Sequence, residues 1–221
     1  ENKYKKLSFV SVPERQYNDN FKFNFQQIKK KYSISEFFFY MPNQFWKHKN
    51  HRVVFEAIHQ LKKSGIEILL LCTGSLNDYR HKDYIDGLKE YICKYRLEKN
   101  IRLLGVIPYE DVFSFMLNAQ AIINPSLFEG WSSTVEEAKS LGQRLILSDI
   151  PVHREQNPAR ACFFNPNNPN ELAEVLKRRN LKEPRDNTDF FIKANKQLAK
   201  RVKEYGESYQ DIILNMVGQA K

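Results

Sequence analysis

Cysteine is scarce in this sequence and long apolar runs are missing, and each shortage narrows what the chain can be. Only three cysteines occur in 221 residues, Cys72, Cys93 and Cys162. Their spacings are unrelated and include no Cys-x-x-Cys, so neither a disulfide framework nor a zinc site is indicated, and the thiols read as buried and reduced. No stretch approaches the roughly 20 apolar residues of a membrane-spanning helix. Residues 1–6 lack the apolar core of a secretion signal, so a cytoplasmic location is expected. Low-complexity tracts are missing as well, which argues against a disordered chain. The five histidines, among them His48, His51 and His153, form no carboxylate-supported ligand set, and no metal is assigned.

What the chain does contain is enough apolar material, 42% of residues, for one well-buried domain with appendages. Its net charge of +9 leaves three classes of partner open: nucleic acid, an anionic membrane surface, or a phosphorylated small molecule. Much of the excess sits in residues 29–31, 177–179 and 193–203, which also read as solvated helix faces. No nucleic-acid recognition module is present, and no nucleic-acid partner is expected.

Residues 1–33 carry no domain pattern. Positions 7–12 resemble a strand, but Pro13 and Asn18-Asp19-Asn20 break it before a lysine-rich helical segment at 23–32, so a linker is expected there. From Glu36 the rhythm changes. Residues 37–41, Phe-Phe-Phe-Tyr-Met, form a continuous apolar run, as a strand buried on both faces of a parallel sheet does. A loop follows, then a helix from about Asn50, with Val53, Val54, Ala57, Ile58 and Leu61 at helical spacing and Gly65 as its stop.

The unit recurs. Further strands are expected at 66–72, 101–104, 121–123, 145–147 and 161–164. Helices between them are marked by Tyr84, Ile85, Leu88, Ile92 and Tyr95, by Val112, Phe113, Met116 and Leu117 after Pro108, and by the segment before Gly142. Asn170 is expected to cap a helix carrying Leu172, Val175 and Leu176. The alternation predicts an α/β fold, a doubly wound, Rossmann-like parallel sheet of about six strands spanning residues 34–180. Residues 181–221 read as a helical extension with two helices, around 190–205 and 209–216.

The most informative stretch runs from Asn124 to Gly142. A polar turn leaves a short apolar strand, passes Glu129 and Gly130, and enters a helix at Ser132 and Ser133 with Glu137 one turn in. Free backbone N–H groups and the helix dipole favour an anion at such a start. This segment resembles the core motif of the carboxyl-terminal domain of retaining, group-1 type nucleotide-sugar glycosyltransferases, which have the two-domain GT-B architecture. The resemblance extends over Asn43-Gln-Phe-Trp-Lys-His-Lys-Asn-His51, Leu71-Cys-Thr-Gly74, Asn100-Ile-Arg-Leu-Leu-Gly-Val-Ile-Pro108, Asp149-Ile-Pro-Val-His-Arg-Glu155 and Phe164-Asn-Pro-Asn-Asn-Pro169.

The resemblance implies a nucleotide-diphosphate sugar as donor substrate and no cofactor. Lys49 is implied to neutralise its phosphates, Glu129 to contact the transferred sugar, and Glu137 to accept from the ribose hydroxyls. Gln44, Gly74, Val106, Gly130, Trp131, Ser132 and Ser133 complete the implied donor site. Two positions depart from the family pattern. Gln44 stands where the family has arginine, so either Lys47 or Arg52 replaces that charge or the diphosphate is held less tightly. Ser132 stands where it has glycine, and the hydroxyls of Ser132, Ser133 and Thr134 serve either the ligand or the helix cap. Trp46 reads either as a stacking platform or as packing.

The implied partners are an acceptor glycan or lipid-linked sugar and a missing amino-terminal domain, of which residues 1–33 would be a remnant. With such an acceptor goes peripheral contact at the inner face of the membrane. The expected role is sugar transfer in polysaccharide or glycolipid assembly, with this chain an incomplete, weakly active or inactive fragment. The alternative is a non-catalytic nucleotide-sugar-binding or scaffold module.

Overall fold

The computed structural model describes residues 25–34, 37–180 and 188–218. The strand expected at 7–12 and the stretch around Pro184 lie outside them. Six parallel strands form one sheet: β1 (Phe39–Pro42), β2 (Leu70–Thr73), β3 (Ile101–Gly105), β4 (Ile122–Asn124), β5 (Leu145–Ser148) and β6 (Ala161–Phe164). Their spatial order is β3-β2-β1-β4-β5-β6. Regular pairing is shorter than the apolar runs suggest; the run at 66–72 pairs only from Leu70, opposite Phe39.

Side chains alternate across the strands and feed two cores, as a period of two requires. Phe39, Met41, Leu70, Cys72, Ile123 and Ile146 face one layer, with α2 (His51–Lys63), α3 (Tyr84–Lys94) and α7 (Pro169–Arg179). Tyr40, Leu71, Ile122, Leu145 and Leu147 face the other, with α4 (Tyr109–Asn118) and α5 (Ser133–Ser140). The lysine-rich helix α1 (Phe25–Tyr32) docks on this second layer, where Lys31 and Tyr32 both donate to the buried Asp111 of α4, at 2.6 and 2.5 Å. A short helix, α6 (Pro151–Gln156), has too few residues to show a periodicity and was not expected.

Two expectations about helix ends are corrected. Asn168, not Asn170, caps α7: its side chain accepts from the N–H groups of Asn170 and Glu171, and Pro169 fills the first helical position, where its missing N–H costs nothing. The carboxyl-terminal pair is one continuous helix, α8 (Thr188–Gly218). Gly206 weakens a helix by about 1 kcal/mol but does not break it; the ion pair Lys203–Glu207 spans that point, and Lys200–Glu204 lies just before it. Helix α8 packs on α5, and at Gly142 a Cβ would fall 2.5 Å from the Phe190 carbonyl oxygen.

Candidate functional site

The strand order reverses between β1 and β4. In open α/β sheets ligands bind beyond the carboxyl ends of the strands at such a point, and the loops leaving these two strands carry most of the residues singled out from the sequence. After β1 the chain makes one 3₁₀ turn, Lys47–Lys49, and enters α2 through Asn50, which adopts left-handed φ, ψ of 55° and 41°. Asparagine tolerates that conformation better than most residues. The Asn50 Nδ2 donates to the carbonyl oxygens of Pro125 (3.2 Å) and Pro166 (2.9 Å), and the Leu127 N–H donates to the His48 carbonyl at 2.8 Å. The β1 and β4 loops are therefore held together.

Between them, Lys49 Nζ donates to Glu129 Oε1 at 2.6 Å, with the side chains only 14% and 8% exposed. A second contact to the same oxygen comes from Ser126 Oγ, also at 2.6 Å. Ser126 Oγ lies 2.8 Å from Asn124 Oδ1 as well, so its single proton is shared between two acceptors. Behind Ser126, Ser148 Oγ donates to its carbonyl at 2.5 Å. The Ser148 carbonyl accepts from His153 Nδ1 at 2.9 Å. That bond places the imidazole proton on Nδ1, and burial pushes His153 toward its neutral form.

The same network reaches the helix start. Asn124 Nδ2 donates to Ser132 Oγ at 2.8 Å, and Ser132 Oγ accepts from the Val135 N–H at 3.4 Å as the N-cap of α5. The Ser132 oxygen thus accepts two bonds, one of them the cap, whereas Ser133 is exposed and Thr134 buried. The two adjacent glutamates of α5 diverge. Glu136 is 1% exposed and accepts from Lys139 (3.0 Å) and Gln156 (2.9 Å). Half-buried Glu137 has its carboxyl pushed up to about 7 by desolvation.

The remaining expected residues divide. Gly74 sits at φ +132°, and a Cβ there would lie 2.5 Å from the Asn43 carbonyl oxygen, so only glycine permits this approach of the β1 and β2 loops. Gln44 is exposed, and its Oε1 accepts from the Ser75 N–H at 2.7 Å, which also ties those loops. Val106 and Gly130 are exposed and Trp131 is half-buried. Arg52, one of the two candidates for the missing arginine's charge, pairs with Glu56 at 2.6 Å and lies over the Tyr91 ring at 3.9 Å. Lys47 is exposed, and its backbone N–H donates to Asp78 Oδ2.

Several participants were not found from sequence. Ser126, Ser148 and His153 are single polar residues without a spacing signal, although His153 lies in a segment already noted. Asp78 and Arg80, on the loop after β2, also border the site. Arg80 pairs with Asp78 at 3.1 Å, and its guanidinium lies 5.0 Å from the Trp46 ring centre. The rings of Trp46 and His48 are 5.6 Å apart, and His48 stacks on Phe128 at 4.5 Å. Among the described residues, no three His, Cys, Asp or Glu side chains are grouped to hold a metal ion.

The sequence matches the family described as Glycosyl transferases group 1 over residues 23–208. It is 25% identical over 167 residues to the O-antigen chain mannosyltransferase RfbU of Salmonella typhimurium, covering 73% of this chain and 42% of that protein. It is 29% identical over 135 residues to a sucrose synthase of Melioribacter roseus, covering 58% and 17%. The chain therefore spans less than half the length of these relatives. Its fold is similar to a glycosyltransferase from Rickettsia africae, with a TM-score of 0.69, 21% identity, and coverage of 88% of this chain and 53% of that one. It is similar too to Anabaena HepE, solved in complex with UDP, with a TM-score of 0.70, 14% identity, and coverage of 86% and 52%.

Proposed function

The chain belongs to the glycosyl transferases of group 1, and we propose that it is the domain that binds a nucleotide-diphosphate sugar and presents the sugar to an acceptor hydroxyl. The Lys49–Glu129 pair at the β1/β4 crevice carries this reading, because it sets a cation and a hydroxyl-accepting carboxylate side by side where the fold places ligands. In this assignment Lys49 faces the diphosphate, together with the backbone from Gly130 to Ser133 at the start of α5. Glu129 holds the transferred sugar and Glu137 the ribose hydroxyls, with Gly74 and Val106 bordering the nucleotide. HepE, similar in fold, was solved with UDP, and a nucleoside diphosphate suits the same groups here.

The reaction we assign is transfer of a hexosyl group with retention, in polysaccharide or glycolipid assembly, the role that the name of the O-antigen relative suggests. Its chemistry rests on holding the two substrates together, stabilising the departing diphosphate and keeping water out. The acceptor, a glycan or a lipid-linked sugar, would meet a second wall supplied by an amino-terminal domain. The net charge of +9 suits peripheral contact with an anionic inner membrane face. One observation favours a non-catalytic binding module instead: Gln44 supplies no charge, and its oxygen is committed to Ser75. Sugar transfer by the whole protein would eliminate that alternative.

Calorimetry with UDP, GDP and their sugars tests the donor site. Wild type is expected to bind at least one of them, Lys49→Met about tenfold or more weakly, a loss of about 1.4 kcal/mol. Arg52→Met, whose guanidinium is engaged elsewhere, is expected to match wild type. Absence of nucleotide binding, or equal binding by Lys49→Met, would overturn the assignment.

A further inference from the structure

Three arginines meet at the opposite edge of the sheet from the Lys49–Glu129 crevice, where β5 and β6 begin. The pairing of Leu145 with Ala161 sets the preceding residues, Arg144 and Arg160, side by side, on strands about 4.8 Å apart. Arg179 arrives from the last turn of α7, and its Nη2 donates to Cys162 Sγ at 2.7 Å. The basic run at 177–179 is therefore not all solvated helix face, because its last member turns in toward the sheet. All three arginines are half-buried.

Neither Arg144 nor Arg160 has a carboxylate partner among the described residues. Arg160 is held by neutral groups alone: its Nη1 donates to the Gly142 carbonyl, and its guanidinium lies 3.6 Å from the centre of the Phe190 ring. Arg144 Nη1 is buried and has no acceptor in reach. A buried donor of that kind calls for an acceptor that the chain itself does not supply. Burial, followed by the charges of Arg144 and Arg179, pulls Arg160 down to about 10, and burial with the Arg179 charge lowers Arg144. Both remain protonated at neutral pH, so the fold carries the repulsion of like charges on adjacent strands.

We propose that Arg144 and Arg160, with Arg179 beside them, form a second anion site, which takes a small molecule bearing a phosphate group. Two adjacent guanidinium forks present more N–H donors than the two oxygens of a carboxylate can use, whereas a phosphate offers a pair of oxygens to each fork. Its charge of about −2 also matches two unpaired arginines. A membrane surface needs cations that stand proud of the protein, and these are drawn back against Gly142, Phe190 and Cys162. A small anion can enter where a flat partner cannot. The site stands apart from the donor assignment, since at least one strand length, about 13 Å, separates it from the crevice.

Calorimetry and thermal melts with inorganic phosphate and with mannose 6-phosphate, each against sodium chloride of equal ionic strength, test the site on wild type, Lys49→Met, Arg144→Gln and Arg160→Gln. At least one of the two phosphates is expected to bind wild type and Lys49→Met alike, and to bind each arginine variant about tenfold or more weakly. The tighter of the two identifies the source, the free ion or an ester. In phosphate-free buffer Arg144→Gln is expected to melt no lower than wild type, because it relieves repulsion and breaks no ion pair. That variant decides the matter even if Arg160→Gln, which loses its Gly142 contact, folds poorly. No effect beyond that of chloride, or equal phosphate binding by Arg144→Gln, overturns the proposal. Binding that Lys49→Met abolishes overturns it by moving the anion to the crevice. A marked loss of stability in phosphate-free Arg144→Gln overturns it too, since the guanidinium would then hold the fold rather than a ligand. Phosphatidylglycerol vesicles, added as a third probe, are expected to leave the arginine variants and wild type equal. Vesicle capture that Arg144→Gln abolishes and phosphate does not compete would assign the arginines to a membrane instead.

Discussion

Glu137 is half-buried on α5, and desolvation moves its carboxyl from an ordinary 4.5 to about 7. Between those values the folded chain holds a proton that the unfolded chain has already released. The stability that this group contributes is therefore fully present below pH 4.5 and is lost as pH rises to about 7. At about 1.4 kcal/mol per unit, the interval amounts to roughly 3 kcal/mol. Ribose binding carries the opposite sign. A carboxylate accepts from both hydroxyls of the diol, whereas the protonated acid must use one of its positions as a donor. If only the ionised form binds, affinity at pH 5.5 is about 30-fold weaker than at pH 8.

The assay is a pair of pH series on wild type and Glu137→Gln: denaturant melts from pH 4.5 to 8, and calorimetry with a nucleotide sugar from pH 5.5 to 8. A nucleotide sugar is the right probe because its diphosphate is a diester with no titration in that range. Contributions from His48 and His153, both pushed toward neutrality chiefly by burial, remain in Glu137→Gln and subtract out. Relative to the glutamine variant, wild type is expected to lose stability and gain affinity as pH rises. Parallel stability curves would refute the burial argument. Wild-type affinity that is flat or falls with pH would refute the ribose contact.

Two further substitutions test the scaffold. Gly74→Ala is expected to lose on the order of 2 kcal/mol or more, because the new Cβ meets the Asn43 carbonyl at a φ of +132°; urea melts read this directly, and a change within error would show that the β1 loop can yield. Ser132→Ala removes the α5 cap and leaves the buried Asn124 amide without its partner. A loss of about 1–3 kcal/mol is expected, with nucleotide affinity changed less than Lys49→Met changes it. The reverse ranking would make the Ser132 hydroxyl a ligand contact rather than a cap.

The sheet was legible because strands buried on both faces read as uninterrupted apolar runs, as at Phe37 to Met41, and because the helices between them keep a 3.6 period. Parallel order then puts every loop after a strand on one edge. That is how Lys49 and Glu129, 80 positions apart, fall within 2.6 Å of each other. Other features had no pattern to read. A hydroxyl residue at a helix start suits a cap and a phosphate equally, and only the geometry shows that Ser132 caps α5. Arg52 and Lys47 are equivalent as charges near a loop, but the reach of a long side chain toward Glu56 and Tyr91 is a tertiary fact. Gly206 resembles a break between two helices, yet nothing at that point offers the backbone a better alternative than continuing.

The Lys49–Glu129 bond also sets how the empty site answers passing solutes. At rest the cation is already matched by a carboxylate, so the crevice is electrically quiet despite the basic chain around it. A simple anion such as phosphate that shares the Lys49 ammonium meets the charge of Glu129 beside it, so most of its attraction is cancelled. A free sugar that engages Glu129 alone has to compete with a contact already formed. A molecule with an anion and a hydroxyl the right distance apart repays both partners at once. In the proposed donor assignment the pair would therefore favour a molecule that engages both residues over one that engages either alone.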